Sequence, residues 1–448
     1  MISKVEYKGE WKLPTDDNWV NGTLKFDPVL GSVLELFGTF NPGIFDRNSK
    51  EIILGKTTEG DVTLVDNWYR RKKQIHNGIT IGTYKPILIF QGHHFDDLSF
   101  IKFTNVTFGI FNLFQYFNLT GQKYDIRNEA RSYEIKYDEI KQIDFLIDDN
   151  FKGEIFFDGP LTIGGNYNEI ELKEEAYVRF NYKYEKSYEQ ILVDISKLVD
   201  LITLLTFEQS FPTFITFENF KLTESINKLE KSKKVYCFYE HANYDKKHKL
   251  RKGGHLVDYE NILKSFPEII QSWFKLYEDT EQVIRLILKY FKTKYKFSPD
   301  KFVDVVRALE SYHRIHLNNE RLPEKKFNEL VATILEQTDL NDDDSIWLQQ
   351  RLLGNEPNLK NRIEELVKKN PTEFISTKIE KFNKFCRQTT DSRNYYTHYD
   401  PKKKKKALEG RELSNLTNLN RAIVISCLLN HIGIESKFYE EGLRYNLG

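Results

Sequence analysis

Near residue 185 the spacing of the hydrophobic residues changes from two to about 3.6, and one layer of packing cannot serve both periods. Before that point short aromatic and β-branched runs fall at 22–26, 33–37, 61–65, 86–90 and 100–108, and again at 133–137, 154–157 and 176–182. Turn signals stand at 13–17, 41–43, 77–78 and 158–160. This spacing predicts a β-sandwich or a distorted barrel. After it, Ile191, Ile195, Leu198 and Ile202 share one face of a helix near 188–206. Residues 206–255 return to strand-like aromatics and then become polar, with 246–254 reading as a linker. From 256 the pattern is helical. Val283, Ile284, Ile287, Tyr290 and Phe291 form one stripe. Ser298-Pro299-Asp300 reads as a cap, a first-turn proline and a first-turn acid. The helix it starts carries Phe302, Val305, Val306, Leu309 and His313 on one face. Further helices are expected at 325–338, 344–353, 359–370, 374–388 and 411–432, the last stopped by Gly433. The expected fold class is α+β and multidomain: a mainly β, sandwich- or barrel-like domain over 1–255, then an all-α bundle over 256–448.

Charge and cysteine narrow the function. Sixty-six Lys and Arg balance 66 Asp and Glu, which argues against a protein that coats nucleic acid by bulk charge and against an acidic disordered chain. Cys237, Cys386 and Cys427 are too few and too scattered for a disulfide framework or a Cys-x-x-Cys metal knuckle. Glu6 and Glu10 occupy positions where a signal peptide needs an apolar run. The longest nearly uncharged apolar stretch, 422–434, falls short of the ~18–20 residues that span a bilayer. A cytoplasmic protein without a membrane partner is expected.

The most specific local signal is Asp391-Ser-Arg393-Asn394-Tyr-Tyr-Thr-His398-Tyr-Asp400-Pro401. Thr389-Thr-Asp-Ser392 offers cap residues, so a helix is expected to start or restart at 391–392, with its N-terminus favouring a phosphate. Asn394 and His398 lie one turn apart and share a face. Arg393 sits ~140° from His398 around an ideal helix, so only its long side chain can reach the same site. Such a group suits metal-independent RNA cleavage. Imidazole titrates near pH ~6.5 and can act as base or acid. Arginine contacts phosphate oxygens in pairs and offsets transition-state charge. One chain brings a single motif His, so catalysis implies a dimer with two motifs around one phosphate. The alternative is an Arg paired with an acid and a His capped within a bundle. Residues 351–411 hold 16 Lys and Arg against 8 Asp and Glu, and Lys402, Lys403, Lys404, Lys405 and Lys406 follow the His closely. They read as an RNA-tracking rim or as a solvated loop. Pro401 is expected to end the motif helix. Glu310, well inside its own helix, is a candidate to hold the motif Arg.

Other clusters carry less. His313 and His316 are three apart but lack further ligands. His93-His94 with Asp96-Asp97 puts adjacent imidazoles on opposite faces of a strand. Cys237, His241 and His248 would need a distant fourth zinc ligand. Gly164-Gly165 lacks the strand and helix of a nucleotide loop. Trp11, Trp19 and Trp68 read as core. No metal and no cofactor are expected.

With these residues on the page, the chain resembles the ApeA family, bacterial anti-phage proteins with an ApeA-type N-terminal domain and a C-terminal HEPN domain. The C-terminal resemblance rests on Val306-Arg-Ala-Leu-Glu310-Ser-Tyr-His313-Arg314, on Ser392-Arg-Asn-Tyr-Tyr-Thr-His-Tyr-Asp400 and on Leu408-Glu-Gly-Arg-Glu-Leu413. The N-terminal one rests on Tyr7-Lys-Gly-Glu-Trp11-Lys-Leu-Pro14, Gly22-Thr-Leu, Leu34-Glu-Leu-Phe-Gly38, Ile53-Leu-Gly-Lys-Thr57, Val62-Thr-Leu64 and Gln91-Gly-His-His94. The resemblance implies a HEPN endoribonuclease that pairs through its motif helices as a homodimer. Host RNA, of which tRNA is the implied class, would be cut through 2′-OH attack, so that infection aborts. Carried over by position, Arg393 and His398 are the catalytic pair and Asn394 the adjacent polar residue. Some HEPN toxins carry Tyr two places after the His; here that place is Asp400, and any role of that Tyr does not transfer. The β domain would sense a phage-derived trigger or restrain the nuclease. The alternative is a catalytically silent HEPN dimerisation module beside a β domain that binds a ligand, a phage protein or a nucleotide.

Overall fold

The structure, a computed structural model, describes residues 4–41, 47–74, 80–127, 132–159, 161–162, 171–226, 229–241, 254–292 and 298–448. The expected turns at 42–43, 77–78 and Pro160, the Gly164-Gly165 pair, His248 and nearly all of the 246–254 linker lie outside the described residues. Two compact units divide the chain. The first is Met1–Thr203, Glu208–Gly253 and Leu263–Gln271; the second is Leu204–Phe207, Gly254–Ile262 and Ser272–Gly448.

The first unit begins with β1 (Val5–Lys12), β2 (Val20–Asp27), β3 (Gly31–Phe37), β4 (Lys50–Thr57), β5 (Gly60–Gln74) and β6 (Thr80–Lys85). They pair in the order β5-β4-β1-β2-β3-β6, and β6 returns to β5, closing an antiparallel barrel. Strand β5 is 15 residues long. Its first half pairs with β4 and its second half with β6, with a register shift between Tyr69 and Arg71. Alternation decides what goes inside. Trp11, Leu24, Leu34, Leu36, Ile53, Leu64 and Tyr84 fill the barrel, while Trp68, expected in the core, is 62% exposed. Trp19 lies between the Lys12 and Lys56 ammonium groups, 5.4 and 4.8 Å from its ring.

The sheet continues through β7 (Leu88–Gln91), β8 (Lys102–Ile110), β11 (Ile143–Asp148), β12 (Phe151–Asp158), β15 (Glu175–Ser187), β16 (Pro212–Ile226) and β17 (Leu229–Tyr239). Two separate ribbons pair β9 (Gln122–Arg127) with β10 (Ser132–Tyr137) and β13 (Leu161–Thr162) with β14 (Glu171–Leu172). From β5 the order is β7-β17-β16-β8-β15-β12-β11, every pair antiparallel. The short helix α1 (Leu113–Phe117) follows β8. The change of period falls where β15 gives way to α2 (Tyr188–Thr206). Buried Asp194 of α2 accepts from Tyr182 at 3.0 Å and from Lys186 at 2.6 Å, both on β15.

Helices make up the rest: α3 (Tyr259–Ile262), α4 (Phe266–Lys292), α5 (Pro299–His316), α6 (Glu324–Glu336), α7 (Asp342–Arg351), α8 (Leu359–Lys369), α9 (Glu373–Lys378), α10 (Phe382–His398), α11 (Gly410–His431) and α12 (Glu440–Leu447). The start of α5 at Ser298-Pro299-Asp300 and the stop after α11, with Gly433 at φ +86°, are as the sequence predicts. The helix expected over 374–388 is instead two, broken between Lys378 and Phe382. Helices α6 and α7 bury no residue. Helix α11 is buried continuously from Asn420 to Leu429, and its Arg421 guanidinium lies 4.6, 4.1 and 4.5 Å from the rings of Phe207, Tyr290 and Phe291.

A charged network locks α5 to α8. Buried His313 bonds Glu365 at 2.7 Å through Nε2 and faces Arg362 Nη1 at 3.2 Å through Nδ1. An Arg can only donate, so Nδ1 accepts and the imidazole is neutral. Arg362 also donates to the Pro357 carbonyl at 2.9 Å and to Glu356 at 2.7 Å, and Arg314 reaches the same carboxylate at 2.9 Å.

Two predictions follow from this packing. A methyl group on Gly9 would meet the Lys56 carbonyl, backbone against backbone. Gly9→Ala should therefore cost about 1–3 kcal/mol in urea unfolding, whereas exposed Glu10→Ala should move it by less than about 0.5 kcal/mol. The second concerns acid. Burial, with the Arg362 charge, holds His313 below its ordinary 6.5, and burial also lowers His316 and His431. Below that value the unfolded chain takes up protons that the folded chain refuses, so stability present at neutral pH is lost as pH falls. The melting temperature should drop between about pH 6.5 and 5. His313→Gln should flatten that slope in a pH series of thermal unfolding; an unchanged slope would contradict the assignment.

Candidate active site

Helix α10 runs without interruption from Phe382 to His398, so the expected restart at 391–392 does not occur. Three side chains that read as caps have other partners. Thr390 donates to the Cys386 carbonyl at 2.8 Å. Thr389 accepts from Asn420 of α11 at 3.1 Å. Ser392, fully buried, accepts from the Leu408 backbone N–H at 3.0 Å. The motif thus lies at the C-terminal end of its helix, where the macrodipole disfavours an anion. Attraction for a phosphate falls to side chains instead.

The end of the helix is set as the sequence predicts. Tyr399 adopts the left-handed conformation at φ 50° and ψ 33°, and Pro401 follows two residues later. Residues Pro401–Lys406 then wind into a 3₁₀ turn. Asp400 caps it, accepting from the Lys402 N–H at 3.0 Å. Lys402, Lys403, Lys404, Lys405 and Lys406 are all exposed on this turn. Tyr396 donates to the Leu408 carbonyl at 2.9 Å. With the Ser392 bond, that contact ties the far end of the basic turn back to α10.

Arg393 faces α5. Its Nη2 donates to both oxygens of Glu310 at 3.3 Å, and its Nη1 donates to Asn394 Oδ1 at 3.1 Å. The side chains of Arg393 and Glu310 are 35% and 25% exposed, so the pair keeps an open side. Glu310 and His313 lie three residues apart on α5, which places the Arg393 anchor one turn from the buried network with Arg362. His398, one turn beyond Asn394, is exposed. The rings of Tyr395, Tyr396 and Tyr399 cluster beside it, with centroids 4.9–6.3 Å apart. The structure therefore brings together Arg393, Asn394 and Glu310, and leaves His398 and the five lysines facing solvent.

The other sequence candidates are engaged elsewhere. His94 Nε2 lies 2.8 Å from the Gly55 carbonyl, and His93 packs on Phe95 with centroids 4.8 Å apart. Cys237 is buried in β17, and burial raises its thiol pKa far above the ordinary range. His241 stacks on Phe211 at 4.6 Å. Arg362 was not among the sequence candidates; it stands in no motif, and its role appears only through its partners. Among the described residues no group of His, Cys, Asp and Glu could hold a metal ion, and no helix is long and apolar enough to cross a membrane.

Two family models match the chain. The family model for ApeA N-terminal domain 1 matches residues 6–273, and that for Apea-like HEPN matches residues 303–438. No curated protein and no solved structure matches the chain. The first match alone covers more than half of the sequence, and the second contains the whole of the Arg393–His398 motif: the chain belongs to the ApeA family of anti-phage HEPN proteins.

Proposed function

We propose that this protein is a metal-independent HEPN endoribonuclease that acts in anti-phage defence by cutting host RNA, with tRNA as the substrate class. The observation that carries the reading is the Arg393 guanidinium, oriented by Glu310 and Asn394, on the same helix end as an exposed His398. A silent dimerisation module has no need of an accessible imidazole and a half-exposed, anchored guanidinium on one short stretch of helix.

The chemistry follows from those groups. The RNA 2′-oxygen forms a bond to the adjacent phosphorus as its proton passes to a neutral imidazole. The bond from phosphorus to the 5′-oxygen breaks, and that oxygen takes a proton from a protonated imidazole. The products are a 2′,3′-cyclic phosphate and a free 5′-hydroxyl. Arg393 faces the equatorial oxygens, where negative charge builds in the transition state. Each chain supplies one motif His, so base and acid come from two chains related by a twofold axis, and the active species is a homodimer. Glu310 and Asn394 are positioning residues, since they reach the phosphate only through Arg393. The exposed lysines of the 3₁₀ turn track the RNA backbone, and the exposed Tyr399 ring offers a face on which an unpaired base can stack. The N-terminal unit senses the phage-derived trigger or restrains the nuclease. The protein acts in the cytoplasm, where tRNA is found.

Expression in a host cell tests the assignment. Arg393→Ala and His398→Ala should each reduce RNA cleavage by about 10²–10⁴-fold and remove toxicity and phage protection, with the melting curve unchanged. Variants that fold and stay toxic would show that the site is elsewhere. Glu310→Gln should lower kcat by about 10–100-fold with little change in KM, because it loosens Arg393 without removing it. Replacing Lys402–Lys406 by serine should weaken RNA binding and flatten its salt dependence, by about 0.7 in log–log slope per lost phosphate contact. An unchanged slope would assign the turn to solvent alone.

A further inference from the structure

The first unit carries a second concentration of positive charge, unrelated to the HEPN motif. Strand β5 changes partner from β4 to β6 at the bulge between Tyr69 and Arg71. In a regular strand Arg70 would point away from its two neighbours. The extra residue breaks that alternation and re-aims side chains. As a result Tyr69, Arg70, Arg71 and Lys72 all line one concavity of about 700 Å³, together with Arg47 and Gln74. No acid lines it. Lys72 reaches the Asn41 carbonyl at 3.2 Å. Among the described residues, none of the three guanidiniums pairs with a carboxylate.

Three uncompensated guanidiniums around one hollow repel one another, in a chain whose charges otherwise balance. An anion between them removes that repulsion, and the planar fork of Arg matches phosphate oxygens two at a time. The volume falls within the range of small-ligand sites, about 300–1,000 Å³. One wall is aromatic and fixed: Tyr69 packs edge-on against Tyr84 with ring centroids 6.0 Å apart. We propose that this pocket of the barrel binds a nucleotide, with the phosphates on Arg47, Arg70 and Arg71 and the base against Tyr69.

Calorimetry with the full chain tests this, using ATP, GTP, pyrophosphate, adenosine and a single-stranded 2′-O-methyl oligoribonucleotide that 2′-OH chemistry cannot cut. A nucleoside triphosphate should bind more tightly than pyrophosphate or adenosine. Arg70→Ala/Arg71→Ala should weaken it at least tenfold with an unchanged melting curve. Arg47→Ala, outside every strand, should repeat the loss and guards against a folding defect. Tyr69→Leu should weaken the triphosphate but not pyrophosphate. Absence of phosphate binding, or binding that the Arg substitutions leave unchanged, would overturn the site. Pyrophosphate binding as tightly as the triphosphates would overturn the place given to the base. An oligonucleotide that outcompetes free nucleotides at the same arginines would overturn the small-molecule assignment.

Discussion

The site depends first on the pairing of Arg393 with Glu310, which stands on a different helix 83 residues away in sequence; on the proposed reading it holds the guanidinium in place before a phosphate arrives. Free in water, a guanidinium side chain samples many rotamers and loses entropy on binding. Bonded to both carboxylate oxygens and to Asn394, Arg393 has already lost most of that freedom. Glu310 depends in turn on the placement of α5. That helix is fixed by the buried His313–Arg362–Glu365 contacts with α8, and by Tyr312 donating to the Cys427 carbonyl of α11 at 3.2 Å. Breaking one partner of such a network leaves a buried charge unpaired, which costs far more than a surface pair contributes. The site therefore rests on a polar core rather than on the motif helix alone.

The same logic orders the end of α10. Buried Ser392 and half-buried Tyr396 fasten the segment at Leu408; Arg393 and Asn394 are half-buried too, and His398 is exposed. One stretch of sequence thus packs through Ser392 and Tyr396, holds Arg393 against α5 and leaves His398 in solvent. Because the motif sits at the negative end of the helix dipole, on the proposed reading the attraction for RNA has to come from the basic turn at 402–406 and from Arg393. That gives the lysine run a physical reason that the run alone does not have.

Local signals in the sequence were legible where local physics decides. The change of period at residue 185, the Ser298-Pro299-Asp300 start and the Gly433 stop all depend on neighbours within a turn or two. Thr389, Thr390 and Ser392 misled, because their hydroxyls are claimed by Asn420, by the preceding turn of their own helix and by Leu408, and two of those claims are tertiary. The sequence admits the Glu310–Arg393 pair but does not place it, and it gives no sign of Arg362. The run Arg70-Arg71-Lys72-Lys73 reads as a strand with charges split between two faces. Only the bulge gathers three of them into one pocket, and a bulge of this kind leaves no mark in the residue pattern. Trp68 reads as core because large aromatics in strands usually are; on β5 it is exposed instead.

The central claim is that Arg393 and His398 cleave RNA by attack of its own 2′-hydroxyl. The most direct measurement is the chemistry of the ends. The protein and its His398→Ala variant would be incubated with total tRNA in EDTA, with and without lysate from phage-infected cells, and the new 3′ ends analysed. The account predicts 2′,3′-cyclic phosphates and free 5′-hydroxyls that appear only with the unaltered protein. Ends bearing 3′-hydroxyl and 5′-phosphate, cleavage that survives His398→Ala, or no cleavage under either condition would contradict it.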